Sequence, residues 1–258
     1  MNRKQLACAV ITVGLALGSG VASATTTWTL NGSTTMPALS AWYAGTNSAS
    51  LSSGAVTGWD GGVGVKSDLS NETTSPNHAL DNESRFESLL MNFGSSEVSL
   101  TNVKVGWHQN DSDFFLLAYT GAGTPDLSTR SYANLGASGW TLVGNYSGMG
   151  STNYAVSTSI YSSFWLIGAG GFISGTGVGN DVVKTGTTCT SYKWVSGKKV
   201  CATWQDVFSP SYDYIKIASV SGVVQAAPPA AVPEPGSLVL AGLGLLGLVA
   251  TRRRWKAA

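Results

Sequence analysis

The C-terminal end of the chain limits what everything before it can fold into. From Gly236 to Thr251 there is no charged residue, and Leu, Gly and Ala dominate the run. A helix over 236–251 would span roughly 22–24 Å at about 1.5 Å per residue, slightly less than the ~30 Å hydrocarbon core of a bilayer. Gly242, Gly244 and Gly247 are acceptable in a membrane helix and allow close helix–helix approach. Before the run stands Val232-Pro233-Glu234-Pro235, whose prolines fix φ and remove two backbone donors, leaving an extended, accessible segment. After it, Arg252, Arg253, Arg254 and Lys256 form a basic tail over 252–258 that should stay cytoplasmic and place the rest of the chain outside. The triple arginine argues against a core helix of a soluble domain. The body must therefore fold from the residues upstream.

Taken in that order, the Pro-Glu-Pro, the short apolar helix and the terminal arginines resemble the PEP-CTERM sorting domain of Gram-negative bacteria. The resemblance implies that 232–258 is a sorting signal read by an exosortase, a membrane cysteine transpeptidase that cuts near Pro233-Glu234-Pro235. It also implies a temporary stay in the inner membrane, then the cell surface or extracellular matrix, in a system that accompanies exopolysaccharide and biofilm. It covers about a tenth of the chain and carries nothing about the activity of the body.

The N-terminus fits secretion. Met1-Asn2-Arg3-Lys4 is a basic n-region, Leu6 to Leu17 an apolar h-region, and Ala22-Ser23-Ala24 an A-x-A cleavage site. Residues 1–24 read as a helical signal peptide, so the mature chain runs from Thr25 to about Val232. Processing removes six of the 15 basic and one of the 14 acidic residues, which leaves a net charge of about −4. That balance offers no electrostatic case for nucleic-acid binding. Cys8 leaves with the signal peptide, so Cys189 and Cys201 remain for one disulfide in an oxidising compartment. The segment between them reads as a hairpin turning at Ser196-Gly197-Lys198, and closing so short a loop stabilises by about 3 kcal/mol.

The body, 25–225, is rich in Gly, Ser, Thr, Val, Trp and Tyr and poor in Lys and Glu, which disfavours surface helices. Val98, Leu100, Val103, Val105 and Trp107 alternate as one long strand or a bulged pair. Phe114 to Tyr119 and Phe164 to Ala169 are continuous apolar runs of central-strand length, and Trp140 to Val143 and Tyr212 to Ile217 add two more strands. Ser84 to Asn92 is a helix candidate that serves equally as a strand. No βαβ rhythm appears. The expected fold is all-β, a single antiparallel β-sandwich of jelly-roll type, followed by a Pro/Ala linker over 226–231.

Candidate chemistry lies in two polar loops, Ser75 to Glu83 and His108 to Asp113. Together with Gly106-Trp107-His108 they resemble a subgroup of exosortase-dependent surface proteins, with no activity implied. Asx-turns alone explain much of their composition. A hard cation such as Ca²⁺ would use Asp81, Asn82, Glu83, Asp111 and Asp113, although the spacing is not that of an EF-hand. A glycosidase would need a carboxylate pair from Glu83, Glu87 or Asp113, but no nucleophile motif accompanies them. The chain is therefore read as non-catalytic. Trp59 and Trp194 are the indoles expected outside the core, and exposed indoles suit the apolar faces of sugar rings. The expected role is a structural or adhesive one at the surface, with Ca²⁺-dependent carbohydrate binding as the alternative.

Overall fold

The computed structural model describes residues 24–31, 37–148 and 150–226. The expected signal peptide with Ala22, the expected linker beyond Ala226, and the sorting signal with Val232, Pro233, Glu234, Pro235 and Arg252 to Arg254 lie outside the described residues. What is described is nearly all β.

The described residues form sixteen strands and two single-turn 3₁₀ helices. The strands are β1 (Thr25–Thr29), β2 (Ala38–Ala44), β3 (Ser52–Trp59), β4 (Gly62–Lys66), β5 (Leu80–Asp81), β6 (Phe86–Asn92), β7 (Val98–Asn110) and β8 (Phe114–Tyr119). Then come β9 (Trp140–Tyr146), β10 (Asn153–Ala155), β11 (Phe164–Ala169), β12 (Gly171–Ile173), β13 (Gly177–Gly179), β14 (Asp181–Val195), β15 (Lys198–Ser211) and β16 (Asp213–Val224). The ladder runs β10-β7-β16-β4-β3-β2-β6-β11-β8-β9, with β1 and β5 also on β16, and every named pairing in it is antiparallel. β3 turns the ladder into two faces. Its first residues pair with β2 and its later ones, Ala55 to Trp59, with β4.

Core packing explains the two uninterrupted apolar runs. Phe114, Leu116 and Ala118 of β8, Trp165, Ile167 and Ala169 of β11, and Leu89 and Met91 of β6 meet Val63, Val65, Val103, Val105, Ile215 and Ile217 of the other face. Their alternate neighbours Phe115, Leu117, Leu166 and Leu90 point the other way, into a second cluster with Leu127, Tyr132, Leu135, Trp140, Phe172 and Val178. With period-two side-chain alternation, only a strand covered on both faces is apolar throughout. The cover is the segment around the 3₁₀ turns, together with the β12–β13 hairpin. Trp165 ties the two faces together: its indole N–H donates to Val98 O at 3.1 Å and to Ser162 O at 3.0 Å.

Several sequence expectations hold as written. Val98 to Trp107 lie on one long strand, and its pairing with β16 has three register shifts, the signature of bulges. The ambiguous stretch Ser84 to Asn92 is a strand from Phe86 onward. β4 can pass beneath the loop that carries His78 because residue 64 is glycine; a Cβ there would collide with the His78 carbonyl oxygen.

The hairpin around the disulfide is far longer than the sequence suggests. Among the described residues β14 and β15 pair only with each other, over thirteen register positions, and are exposed along almost their whole length. At about 3.3 Å per residue the ribbon extends roughly 45 Å. Ser196 and Gly197 turn it, both with positive φ (49° and 74°), the two-residue geometry that fits strand twist. The Cys189–Cys201 disulfide forms across it.

Candidate functional site

Three surfaces or clusters hold the polar and aromatic residues singled out by sequence. The first is the ribbon. Trp194 is 73% exposed and Trp204 62%, with Tyr192 and Phe208 also exposed. Trp194 lies opposite Lys199, and Tyr192 is two residues along the same strand, so the three side chains share one face near the tip. Lys199 Nζ sits 4.1 Å from the centre of the Tyr192 ring, a cation–π contact. The ribbon carries Lys184, Lys193, Lys198 and Lys199 against Asp181 and Asp206. Lys184 pairs with Asp206 at 2.7 Å, which leaves the three lysines nearest the turn to give the tip a positive charge.

The second is an open cleft of about 650 Å³ lined by Leu30, Asn31, Trp59, Asp60, Gly62 and their neighbours. Trp59 is 42% exposed there, its indole 4.4 Å from the His78 ring. His78 Nε2 is 2.8 Å from Lys216 Nζ, and that ammonium also donates to Asp60 O at 3.3 Å and lies 4.6 Å from the Trp107 ring centre. Lys216 is buried, and desolvation, opposed by the charge of Asp60, pulls its pKa below the ordinary lysine range. These contacts hold Trp59 in place, at the rim of the cleft.

The third consists of two carboxylate clusters. Asp111, Asp113 and Asp213 bring one oxygen each within 4.8 Å of the others, as do Glu72, Asp81 and Glu87. In the first, Asp213 accepts from the Asp113 backbone N–H at 2.8 Å and from Asn82 Nδ2 at 2.7 Å, and Asp113 accepts from the Gly148 N–H at 2.6 Å. Asn82 Oδ1 accepts in turn from the Asp213 N–H. These carboxylates brace the start of β16 against two loops. Burial is the main cause that pushes Asp113 up to about 6 and Asp213 up to about 7, and neighbouring aspartates add to it.

The five residues expected to share a cation therefore divide. Asp81 joins Glu72 and Glu87, while Asp111 and Asp113 join Asp213. Asn82 bonds Asp213, and Glu83 accepts from the Tyr214 hydroxyl at 2.6 Å and from Asn77 Nδ2 at 3.3 Å. Of the candidate glycosidase carboxylates, Glu87 is fully buried, Glu83 accepts from Tyr214 and Asn77, and Asp113 accepts from the Gly148 N–H. Trp59 and Trp194 lie on different elements, the cleft and the ribbon tip. Sequence reading passed over Glu72, Asp213 and Lys216, and it did not place Trp204 outside the core, where the structure has it. The usable signal was a charge inside a strand-like apolar run: Asp213 between two tyrosines, Lys216 between two isoleucines.

One comparison decides the outer framework. A family model described as the PEP-CTERM protein-sorting motif matches residues 231–254. The chain carries a PEP-CTERM sorting motif. The motif implies processing by an exosortase and secretion to the surface or the extracellular space. The matched stretch lies entirely in the tail. No curated protein and no solved structure matches the chain.

The aspartate cluster makes stability depend on pH. Folded Asp113 and Asp213 keep their protons to about 6 and about 7, whereas an unfolded aspartate loses its proton near 4. Their raised folded pKa values give a contribution fully present below the unfolded pKa and lost as pH rises through the folded values. In EDTA, the melting temperature should fall by about 5 °C between pH 5 and pH 8. Asp213→Asn, uncharged throughout, should flatten the slope. A melting temperature that rises over this range would contradict the assignment.

Proposed function

We propose that this PEP-CTERM protein is a non-catalytic adhesive component of the cell surface and that its contact element is the β14–β15 ribbon, which holds an anionic polysaccharide. The observation that carries the reading is the ribbon itself. Twenty-nine residues in two strands bury almost no apolar surface, yet they display Tyr192, Trp194, Trp204 and Phe208. Exposed apolar groups gathered in one place mark interaction sites on soluble proteins. Aromatic rings supply flat apolar platforms for sugar faces. Thr185, Thr187, Thr188, Thr190, Ser191 and Thr203 supply hydroxyls beside them, and the lysines at the tip oppose the negative charge of the rest of the body. Pairing of the ribbon edges with another copy is disfavoured by its three register irregularities and its lysines, devices that discourage edge-to-edge association.

The same reading assigns the apolar tail to a temporary anchor in the inner membrane, held until the exosortase cuts near Pro233-Glu234-Pro235. The body then remains as the displayed part. The full burial of Glu87, which keeps it from a polymer outside, favours binding over hydrolysis.

Co-sedimentation of the mature chain with acidic and neutral polysaccharides tests the proposal. Binding should favour the acidic polymer, weaken with salt, and drop at least about ten-fold in the Trp194→Ala/Trp204→Ala variant, since each lost ring contact is worth on the order of 1 kcal/mol or more. If Trp59→Ala abolishes binding and the ribbon variant does not, the contact lies in the cleft instead. Absence of binding to every polysaccharide tried removes the adhesive reading.

A further inference from the structure

Glu72, Asp81 and Glu87 form the one group of buried carboxylates among the described residues in which every member has a spare oxygen. Glu72 Oε1 accepts from the Ser67 hydroxyl at 2.9 Å, Asp81 Oδ1 from the Glu83 N–H at 2.9 Å, and Glu87 Oε2 from the Asp81 N–H at 3.2 Å. The second oxygen of each, Glu72 Oε2, Asp81 Oδ2 and Glu87 Oε1, is buried with no hydrogen-bond partner among the described residues. Glu72 and Asp81 are 2% exposed and Glu87 0%. Glu87 lies in step with Leu89 and Met91 on β6, so its side chain enters the space between the two faces of the sandwich. Neither ion pair among the described residues, Arg85–Asp68 or Lys184–Asp206, involves any of the three.

Such an arrangement is costly as it stands. Buried polar atoms are nearly always paired, and a buried carboxylate without a partner loses its hydration with nothing in return. Burial drives all three carboxyls toward their protonated forms, Asp81 to about 8 and Glu87 well above the ordinary range. Three like groups brought this close, with one oxygen each left over, must be offset either by protons or by a bound cation.

We infer that Glu72, Asp81 and Glu87 bind a divalent cation, Ca²⁺ in preference to Mg²⁺, and that the ion fastens β5, β6 and the loop bearing Glu72 to one another. The residue set differs from the one expected from sequence, with which it shares only Asp81. Carboxylate oxygens are the ligands of hard cations, and three carboxylates offer up to six oxygens toward the six to eight that Ca²⁺ takes. Oxygens held by one Ca²⁺ at 2.3–2.6 Å are at most about 5 Å apart, compatible with the mutual 4.8 Å limit of this cluster. Burial selects against Mg²⁺, which gives up its waters reluctantly and demands a smaller, octahedral site. The Asp111, Asp113 and Asp213 cluster is more exposed, shows no unpartnered buried oxygen among the described residues, and is not assigned an ion.

The test uses the mature chain stripped with EDTA. Calorimetric titration should show about one equivalent of Ca²⁺ taken up, and millimolar Ca²⁺ should raise the melting temperature by roughly 5–10 °C, with a smaller response to Mg²⁺. Glu87→Gln separates the ion from the fold, because it removes one buried charge without changing shape. In EDTA the variant should melt at or above the wild type, and in Ca²⁺ well below it. Asp113→Asn should keep the full calcium response. No uptake by the wild type overturns the inference, as does a calcium response that survives Glu87→Gln or is lost in Asp113→Asn. If Glu87→Gln does not fold, Asp81→Asn, assayed by calcium uptake in the same titration, decides in its place, with retained uptake overturning the site.

Discussion

Replacing Trp165 with alanine should lower the melting temperature of the mature chain by about 10 °C or more, or prevent its folding. Loss of a buried tryptophan costs on the order of 3–5 kcal/mol, and a domain of this size shifts by roughly 2–4 °C per kcal/mol. The position adds to the effect. Trp165 is fully buried, packs in the core between the two faces of the sandwich, and its N–H reaches the Val98 and Ser162 carbonyl oxygens. Alanine leaves a cavity and two carbonyls without that donor. Trp165→Phe isolates the hydrogen bonds and should show a clearly smaller drop. Circular dichroism melts of the three proteins measure both effects, and an alanine variant within about 2 °C of the wild type would mean that the two faces do not depend on this side chain.

Excising the ribbon should do the opposite, removing function while leaving the fold. Val182 and Pro210 are directly opposite partners at its base, so deleting 183–209 and joining them with Asn-Gly closes the gap with a two-residue turn. The deleted residues are exposed almost throughout and belong to neither core cluster. The melting temperature should change by no more than about 2 °C, while polysaccharide binding falls to background. A large loss of stability would show that the ribbon is part of the folding unit. Retained binding would place the contact elsewhere.

How far the chain could be read without coordinates depended on whether a residue had one neighbourhood or two. Phe114 to Tyr119 and Phe164 to Ala169 were legible because burial on both faces writes an unbroken apolar run. Val98 to Trp107 was legible because burial on one face writes an alternation. The pairing of Cys189 with Cys201 needed only the count of cysteines outside the expected signal peptide. β14 and β15 were not legible in their full length, since a strand exposed on both faces carries no inside-outside pattern. Val182, Val183, Trp204 and Phe208 then look like scattered apolar residues in a loop. The acidic clusters were half legible. Local spacing grouped Asp81 with Asn82 and Glu83, and Asp111 with Asp113. The partners that complete each cluster, Glu72 and Glu87 in one and Asp213 in the other, come from separate elements and are gathered only by strand pairing. The tail was fully legible as a motif, because its order is local and needs no tertiary structure.

The order of elements at the end of the body has a mechanical consequence. β15 passes through the single residue Tyr212 into β16, and β16 runs to Val224 just before the chain continues toward the sorting motif. A pull on the ribbon tip, opposed at the C-terminus, is therefore carried by one unbroken covalent run. β16 is gripped by β7 on one side and by β1, β4 and β5 on the other, and it is tensioned along its own axis rather than peeled from its neighbours. The sandwich hangs from this strand instead of lying between the two points of force, so drag on whatever the ribbon holds stretches a backbone without opening a core.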